Sequence, residues 1–467
     1  MTHSRPAKRA DTAALLAKYD RPGPRYTSYP TAVEFAGDVT TETYEERLKL
    51  ANAASTDPLS VYMHLPFCEH RCLFCGCHVI ISPDKSKASP YMGLLEREIE
   101  LLADRLPERR KVSQLHLGGG TPTYQSPEQL DHLLTRFFEH FEATDDAELA
   151  VEVDPRVTTI EHIDALHAHG FNRISLGVQD FTPEVQEAIE RVQSVEQTEL
   201  LVKHARSKGF RGINIDLIYG LPLQREESFE RTVDEVIRMG ADRSAVYSFA
   251  YVPWIRAHMN KLADEDFPGR EDKFALFAIA RERFLAAGYE PIGMDHFAKP
   301  DDELSKAKRG GTLRRNFQGY AVIPAPDVLG LGISAIGDVR DAYVQNAKKL
   351  STYREAIEAG RLSVERGVVC NADDVLRRDV IHDLMCNFRV ETARVEAKYG
   401  IDFAKAFAED LEALAEHEAN GMVKISDELI EATPQGELFI RNLAMCFDRY
   451  WREKHSGGDK PVFSQTV

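Results

Sequence analysis

Four of the seven cysteines in this 467-residue chain, Cys68, Cys72, Cys75 and Cys77, fall within ten residues of the stretch "HLPFCEHRCLFCGCH". In a reducing compartment, clustered thiols read as metal ligands or redox groups rather than disulfides. A structural zinc site pairs two knuckles separated by a loop. Here there is one tight hook, and Cys370, Cys386 and Cys446 are isolated from one another. Zinc held by three of these cysteines with His64, His70 or His78 stays open, whereas "EHRC" and "GCH" are polar surroundings for merely buried thiols. A C-x3-C-x2-C hook can also supply three thiolates to a four-iron cluster and leave one iron free for another ligand. Cys77, two residues beyond Cys75, is expected to point elsewhere if the backbone is extended and is not counted as a fourth ligand.

The elements that must position this hook alternate. Short β-rich runs start at "LSVYMHLP" and recur at "KVSQLHL", "ELAVEV", "RISLGVQ", "GINIDLIYG" and "RSAVYSFA", with amphipathic helical patterns between them. Six strand–helix alternations predict a parallel sheet, fewer than the eight units of a full barrel. In such folds the working residues sit at the carboxyl ends of strands. The hook follows the first run and "GGGTPTY" (Gly118 to Tyr124) the second. Glu152 closes the third, Gln179 ends the fourth, Asp216 lies in the fifth and Ala250 ends the sixth. Each has a plain alternative: a tight turn, a helix cap, a satisfied backbone group. Their recurrence on one rim suits a ligand combining an amino acid with a nucleoside. Glycines admit close approach, carboxylates pair with an ammonium or ribose hydroxyls, and Arg191 can clamp a carboxylate. S-adenosylmethionine has all these groups, and its amino and carboxylate groups can chelate an open iron.

Composition limits the remaining possibilities. A 43% hydrophobic content describes an ordinary folded protein, large enough for one large domain and a smaller one, with unstructured ends at "MTHSRPAKRA" and "HSGGDKPVFSQTV". The formal charge of −17 argues against a general nucleic-acid binder. No segment approaches the roughly 18 apolar residues of a membrane helix, so a cytoplasmic protein is expected, and a monomer because no long exposed apolar heptad pattern appears. From about Gly360 the pattern becomes helical, with "MVKI" and "LIEAT" forming a hairpin around "SDE". That winged-helix shape raises DNA binding. Residues 371–467 nevertheless carry 12 basic against 19 acidic residues, which favours a lid or substrate-side cover.

At the level of motifs the chain resembles the radical S-adenosylmethionine enzymes, through the three-cysteine hook with Phe74 before its third cysteine. It resembles most closely the oxygen-independent coproporphyrinogen III oxidases, or coproporphyrinogen dehydrogenases. "GPRYTSYPT", "YMHLPFCEHRCLFCGC", "LHLGGGTPTY", "VEVDPR", "GVQDF", "NIDLIYGLP", "IGMDHFAKPDDEL", "RNFQGY" and "CNFR" carry that resemblance in order along essentially the whole chain. The resemblance implies a partial (β/α)6 barrel over residues 56–360, a small mostly helical domain over 361–467 and an N-terminal segment, 1–55, near the active site. It implies a [4Fe-4S] cluster on Cys68, Cys72 and Cys75. Contacts to two molecules of S-adenosylmethionine are implied for Tyr62, Phe74, Gly119, Gly120, Thr121, Glu152, Gln179, Arg191, Asp216, Ala250 and Ile336.

The implied activity makes two vinyl groups from two propionates of coproporphyrinogen III, giving protoporphyrinogen IX. An electron donor and an acceptor that the sequence does not name would complete it. No catalytic residue is assigned beyond the cluster and cofactor positions. Arg25, Lys299, Arg314 and Arg315 are candidates to hold substrate carboxylates. Tyr26, Tyr29 and Phe317 are candidates to line the macrocycle, against the plain alternatives of surface charge and core packing. A haem-binding chaperone and a methyl-transferring or haem-degrading relative are the rival readings.

Overall fold

The computed structural model describes residues 9–54, 56–322, 325–455 and 463–466. Its centre is a twelve-stranded sheet: β1 Leu59–Leu65, β2 Lys111–Gly119, β3 Glu142–Val153, β4 Arg173–Gln179, β5 Gly212–Tyr219, β6 Arg243–Ser248, β7 Glu290–Ile292, β8 His296–Ala298, β9 Val328–Leu331, β10 Ile336–Asp338, β11 Ala342–Gln345 and β12 Arg366–Val369. The order across the sheet is β12-β11-β10-β9-β1-β2-β3-β4-β5-β6-β8-β7, so β1 and β6 do not pair and the barrel stays open. β1 to β6 are parallel neighbours in chain order, joined by helices such as Ser89–Arg105, Pro127–His140 and Glu226–Arg238. The partial (β/α)6 barrel stands. Five antiparallel extension strands flank it, and β9 joins β1 in parallel.

The barrel strands alternate in a way that buried parallel strands ordinarily do not. Val61, Met63 and Leu65, then Leu115 and Leu117, then Ile174, Leu176 and Val178, then Ile213, Ile215 and Leu217 are buried in one core against the helices. The residues between them, including Ser60, Gln114, His116, Glu152, Ser175, Asn214 and Asp216, line a polar cavity of roughly 130 Å³ inside the barrel. Because successive side chains face opposite sides of a strand, one sequence period supplies both the core and the interior of the site.

The C-terminal part packs Ala372–Asn387 and Ala408–Ala419 beside a three-stranded sheet made of Arg389–Glu391, Val423–Ile425 and Leu429–Ala432. Its core takes in Leu15, Leu16, Tyr19, Tyr26 and Tyr29 from the N-terminal segment. Tyr26 and Tyr29 are therefore core residues and do not line a macrocycle. Tyr26 donates to Asp448 at 2.9 Å, and the Tyr29 hydroxyl accepts from the Arg449 amide at 3.1 Å. The expectation of unstructured ends falls at residues 1–8, 456–462 and 467 outside the described residues, while Arg9, Ala10 and His455 lie in helices. Near the C-terminal end, Thr466 donates its amide to the Arg21 carbonyl at 2.9 Å, so this piece of the tail is paired.

Candidate functional site

The cysteine hook leaves β1 and is pinned from several sides. A two-stranded pairing of Phe67–Cys68 with Ile80–Ile81 closes its base. Cys75 donates its amide to the Cys72 carbonyl, Leu73 to Ile189, and Gly120 and Thr121 to Leu65 and Phe67. From the far side His258 donates to the Cys75 carbonyl at 2.9 Å and Arg256 to that of Gly76 at 2.6 Å. The hook is thus held by loops after β1, β2, β4 and β6. Gly119, at φ +110°, permits the turn at the end of β2, where a β-carbon would lie 2.5 Å from the His64 ring.

The donor set fits an iron–sulfur cluster. The Cys72 sulfur accepts from Arg156 Nη2 at 3.3 Å and from Arg191 Nη1 at 3.6 Å, and Cys68 meets the Thr121 hydroxyl at 3.5 Å. Donors aimed at ligand sulfurs stabilise thiolate charge. The hydrogen bond from Cys77 draws the Cys75 thiol down to about 6, while burial pushes that of Cys68 up to about 11. The expectation that Cys77 points elsewhere fails: residues two apart in an extended chain share one face, and the Cys77 thiol bonds that of Cys75, a ligand position. The zinc alternative finds less support. His64 spends its ring nitrogens on the Tyr62 hydroxyl at 3.0 Å and the His78 carbonyl at 2.9 Å, and His78 bonds the Lys348 carbonyl. Among the described residues no three His, Cys, Asp or Glu side chains gather as for a single ion.

The other sequence-predicted positions form three groups, two at the rim and one inside the barrel. Tyr62 and Glu152 meet through histidines: His116 Nε2 lies 2.9 Å from Glu152 Oε1, and the Tyr62 ring centroid is 5.9 Å from that of His116. Burial pushes the Glu152 carboxyl up, yet the bond and charge of His116, the Gly119 amide and His64 together outweigh it and hold the group below the ordinary carboxylate value. Gln179 takes a left-handed φ of +70°, a conformation rare outside glycine, where β4 ends. Beside it Arg191, 7% exposed, donates to Asp154 at 2.6 Å and to the Gly177 carbonyl at 2.6 Å. In this third group Asp216 accepts from Ser175 at 2.8 Å and Asn214 at 2.7 Å, while burial pushes its carboxyl up to about 6.

Phe74 and Ala250 stand apart from these groups. Phe74 packs on a satellite cluster with Leu73, Ile189 and Phe249, and Ala250 follows β6 on the same rim. Ile336 opens β10, on the opposite side of β1 from the rest. Of the proposed carboxylate holders, Arg25 bridges Asp295 at 2.6 Å and Arg315 is buried, whereas Arg314 is exposed. Lys299 donates to the Gly240 carbonyl at 2.9 Å, before β6 begins, so it sits at the opposite end of the strands from the rim. Phe317 packs on Phe35 and Tyr343.

His116, Ser175, Asn214, Arg156, Tyr247 and His296 also belong to the site, yet none was singled out by motif. The signal for the first three was the polar residue at every second place in strands otherwise apolar.

Comparison with known proteins agrees with this geometry. Residues 62–236 match the radical SAM superfamily and residues 371–439 the HemN C-terminal domain. The chain is 45% identical over 443 residues to the oxygen-independent coproporphyrinogen III oxidase of Salmonella typhimurium, covering 94% of this chain and 96% of that one. It is 45% identical over 441 residues to the protein of the same name from Escherichia coli, with the same coverage. The solved structure described as coproporphyrinogen III oxidase (HemN) from Escherichia coli, a radical SAM enzyme, superposes with a TM-score of 0.89 at 44% identity, over 94% of this chain and 98% of that one.

Proposed function

The chain belongs to the oxygen-independent coproporphyrinogen III oxidases, and from that membership we infer which of its residues carry the reaction. The protein is a radical SAM oxidoreductase of haem biosynthesis that oxidatively decarboxylates two propionates of coproporphyrinogen III to vinyl groups, using a [4Fe-4S] cluster and S-adenosylmethionine. When bound, the cluster supplies the electron that splits S-adenosylmethionine into methionine and the carbon radical that takes hydrogen from a propionate.

The chain's own residues hold and orient. Cys68, Cys72 and Cys75 are the ligands, and Arg156 and Arg191 stabilise charge on the Cys72 sulfur. Tyr62, Phe74, Gly119, Gly120, Thr121, Glu152, Gln179, Arg191, Asp216, Ala250 and Ile336 hold two molecules of S-adenosylmethionine. Glu152, kept ionised by His116, accepts from the ammonium or ribose hydroxyls of one of them. Asp216, tied to Ser175 and Asn214, faces the barrel cavity as a second acceptor. A one-electron donor and an acceptor complete the cycle. The protein works as a cytoplasmic monomer; its seven free cysteines suit a reducing compartment.

The observation that carries this reading is the anchoring of a three-cysteine hook on the same rim as Glu152 and Gln179, above Asp216 in the barrel interior. Iron analysis and the spectrum of the reduced protein test it. Four irons per chain and a [4Fe-4S] signal altered by S-adenosylmethionine are expected, both lost in Cys72→Ser, and retention of iron in that variant would overturn the ligand assignment.

A further inference from the structure

Where the N-terminal segment meets the barrel, one carboxylate is surrounded by cations. Asp295, 5% exposed, meets His296 Nδ1 at 2.7 Å through one oxygen and accepts from Arg25 Nη2 at 2.6 Å through the other. Burial would push its carboxyl up, but His296, Arg25 and Arg315 together hold it far below the ordinary range. Arg315, also 5% exposed, lies with its guanidinium carbon 4.6 Å from the Tyr320 ring centroid. Its Nε and Nη1 are buried without a hydrogen-bond partner among the described residues. Arg25 bonds this carboxylate and Arg315 acts on it through space, so two guanidiniums stand near one carboxylate before His296 is counted. Buried charge in excess is costly and calls for a counter-ion. In a chain of net charge −17, a local surplus of this sign is specific to the place.

His296 gives the surplus a direction. With Nδ1 committed to Asp295, the ring's Nε2 makes no hydrogen bond among the described residues, and the side chain lines the barrel cavity with Asp216, Tyr247 and Gln318. The Tyr247 and Tyr320 rings pack edge-on against the imidazole at 5.6 and 5.0 Å and fix its plane. The cavity has room for one side arm of a tetrapyrrole.

We propose that the Asp295–His296 pair, backed by Arg25 and Arg315, receives a propionate carboxylate of the substrate. The inference rests on the coproporphyrinogen reading and deepens it. Protonated His296 donates from Nδ1 to Asp295 and from Nε2 to the propionate, a charge-assisted pair on each side of one ring. The charged and titratable groups facing it are Asp295 on its own segment, Tyr247 on β6, Asp216 on β5, Arg315 and Tyr320 on the Arg314–Ala321 hairpin, and Arg25 on the N-terminal segment. A vinyl product has no charge to hold. The converted arm is therefore released and the macrocycle is free to present its second propionate.

The test uses full-length, cluster-loaded protein without oxygen and measures dissociation constants for coproporphyrinogen III and its tetramethyl ester at pH 7. Wild-type protein is expected to prefer the acid. In His296→Gln the acid binds about tenfold more weakly and the acid-to-ester preference falls by the same factor. Arg25→Gln weakens acid binding and leaves ester binding unchanged. The cluster spectrum reports folding of each variant, and Arg25, being partly exposed, supplies a readout should His296→Gln misfold. Equal binding of acid and ester by wild type, or a wild-type preference in His296→Gln, overturns the anchor alone. If wild type cleaves S-adenosylmethionine yet binds neither compound, the functional reading falls and the anchor with it.

Discussion

Replacing Asp216 with Asn separates what this carboxylate does for function from what it costs the fold. Burial raises its pKa from 3.8 to about 6 even though Ser175 and Asn214 donate to it. Folding therefore favours the protonated form. The associated stability is fully present below the unfolded value and is lost as pH rises through about 6. Two pKa units at about 1.4 kcal/mol each give about 3 kcal/mol, and because the cavity admits some water we expect roughly 1–3 kcal/mol. An amide cannot ionise, so relative to Asp216→Asn the wild type should lose that amount between pH 4 and pH 7. Any cost of rearranged hydrogen bonds at Ser175 and Asn214 is constant with pH and drops out of the slope. Glu98, whose carboxyl burial raises to about 7, and Asp338 and Asp448, at about 6, titrate in both proteins and cancel in the difference. Urea titrations of both proteins at several pH values read the effect, and deoxyadenosine formation at pH 7 should fall in the variant. Parallel stability–pH curves for the two proteins would refute the reasoning.

Three further outcomes are expected. Cys68→Ser and Cys75→Ser should each lose iron and deoxyadenosine formation, as Cys72→Ser does, whereas Cys77→Ser should retain iron; iron analysis decides. His116→Phe removes the bond that helps hold the Glu152 carboxyl down, so the acid limb of the pH–activity profile should move to higher pH, and an unmoved limb would exclude that coupling. Arg441 is 4% exposed and donates to the carbonyls of Gly23, Pro24 and Gln465. Arg441→Gln should destabilise the protein by roughly 3 kcal/mol and expose the segment around Arg21 to limited proteolysis.

What the sequence made legible follows from the range of its signals. The hook, the glycine run and the six strands with their helices are local patterns; the strands and helices form the barrel, and the hook and glycine run lie at its carboxyl end. The barrel's interior was overlooked because attention to strand ends passes over the strand bodies, where His116, Ser175 and Asn214 alternate with core residues. The extension strands β7 to β12 are three or four residues long, and periodicity gives little signal at that length. "TPQGELFIRNLAMCFDRYW" reads as one helix but breaks into Gly436–Phe439, Ile440–Met445 and Arg449–His455. Asp448 accepts there from the Trp451 amide at 3.0 Å and from Tyr26, so a residue more than 400 positions away supports the break. Tyr26 and Tyr29 looked like site residues for the same reason: only the tertiary packing sends them into the C-terminal core. The Asp295–His296 pair lay in the quoted segment "IGMDHFAKPDDEL", but its meaning depends on Arg25, brought to it from 270 residues away.

The central claim is that this hook and rim convert propionate to vinyl by radical chemistry. Protein purified without oxygen, reduced with dithionite and given S-adenosylmethionine and coproporphyrinogen III should form protoporphyrinogen IX together with 5′-deoxyadenosine, and Cys72→Ser should form neither. Deoxyadenosine without a vinyl product would leave the radical chemistry standing and contradict the assigned substrate; the absence of both from the cluster-loaded wild type would contradict the account as a whole.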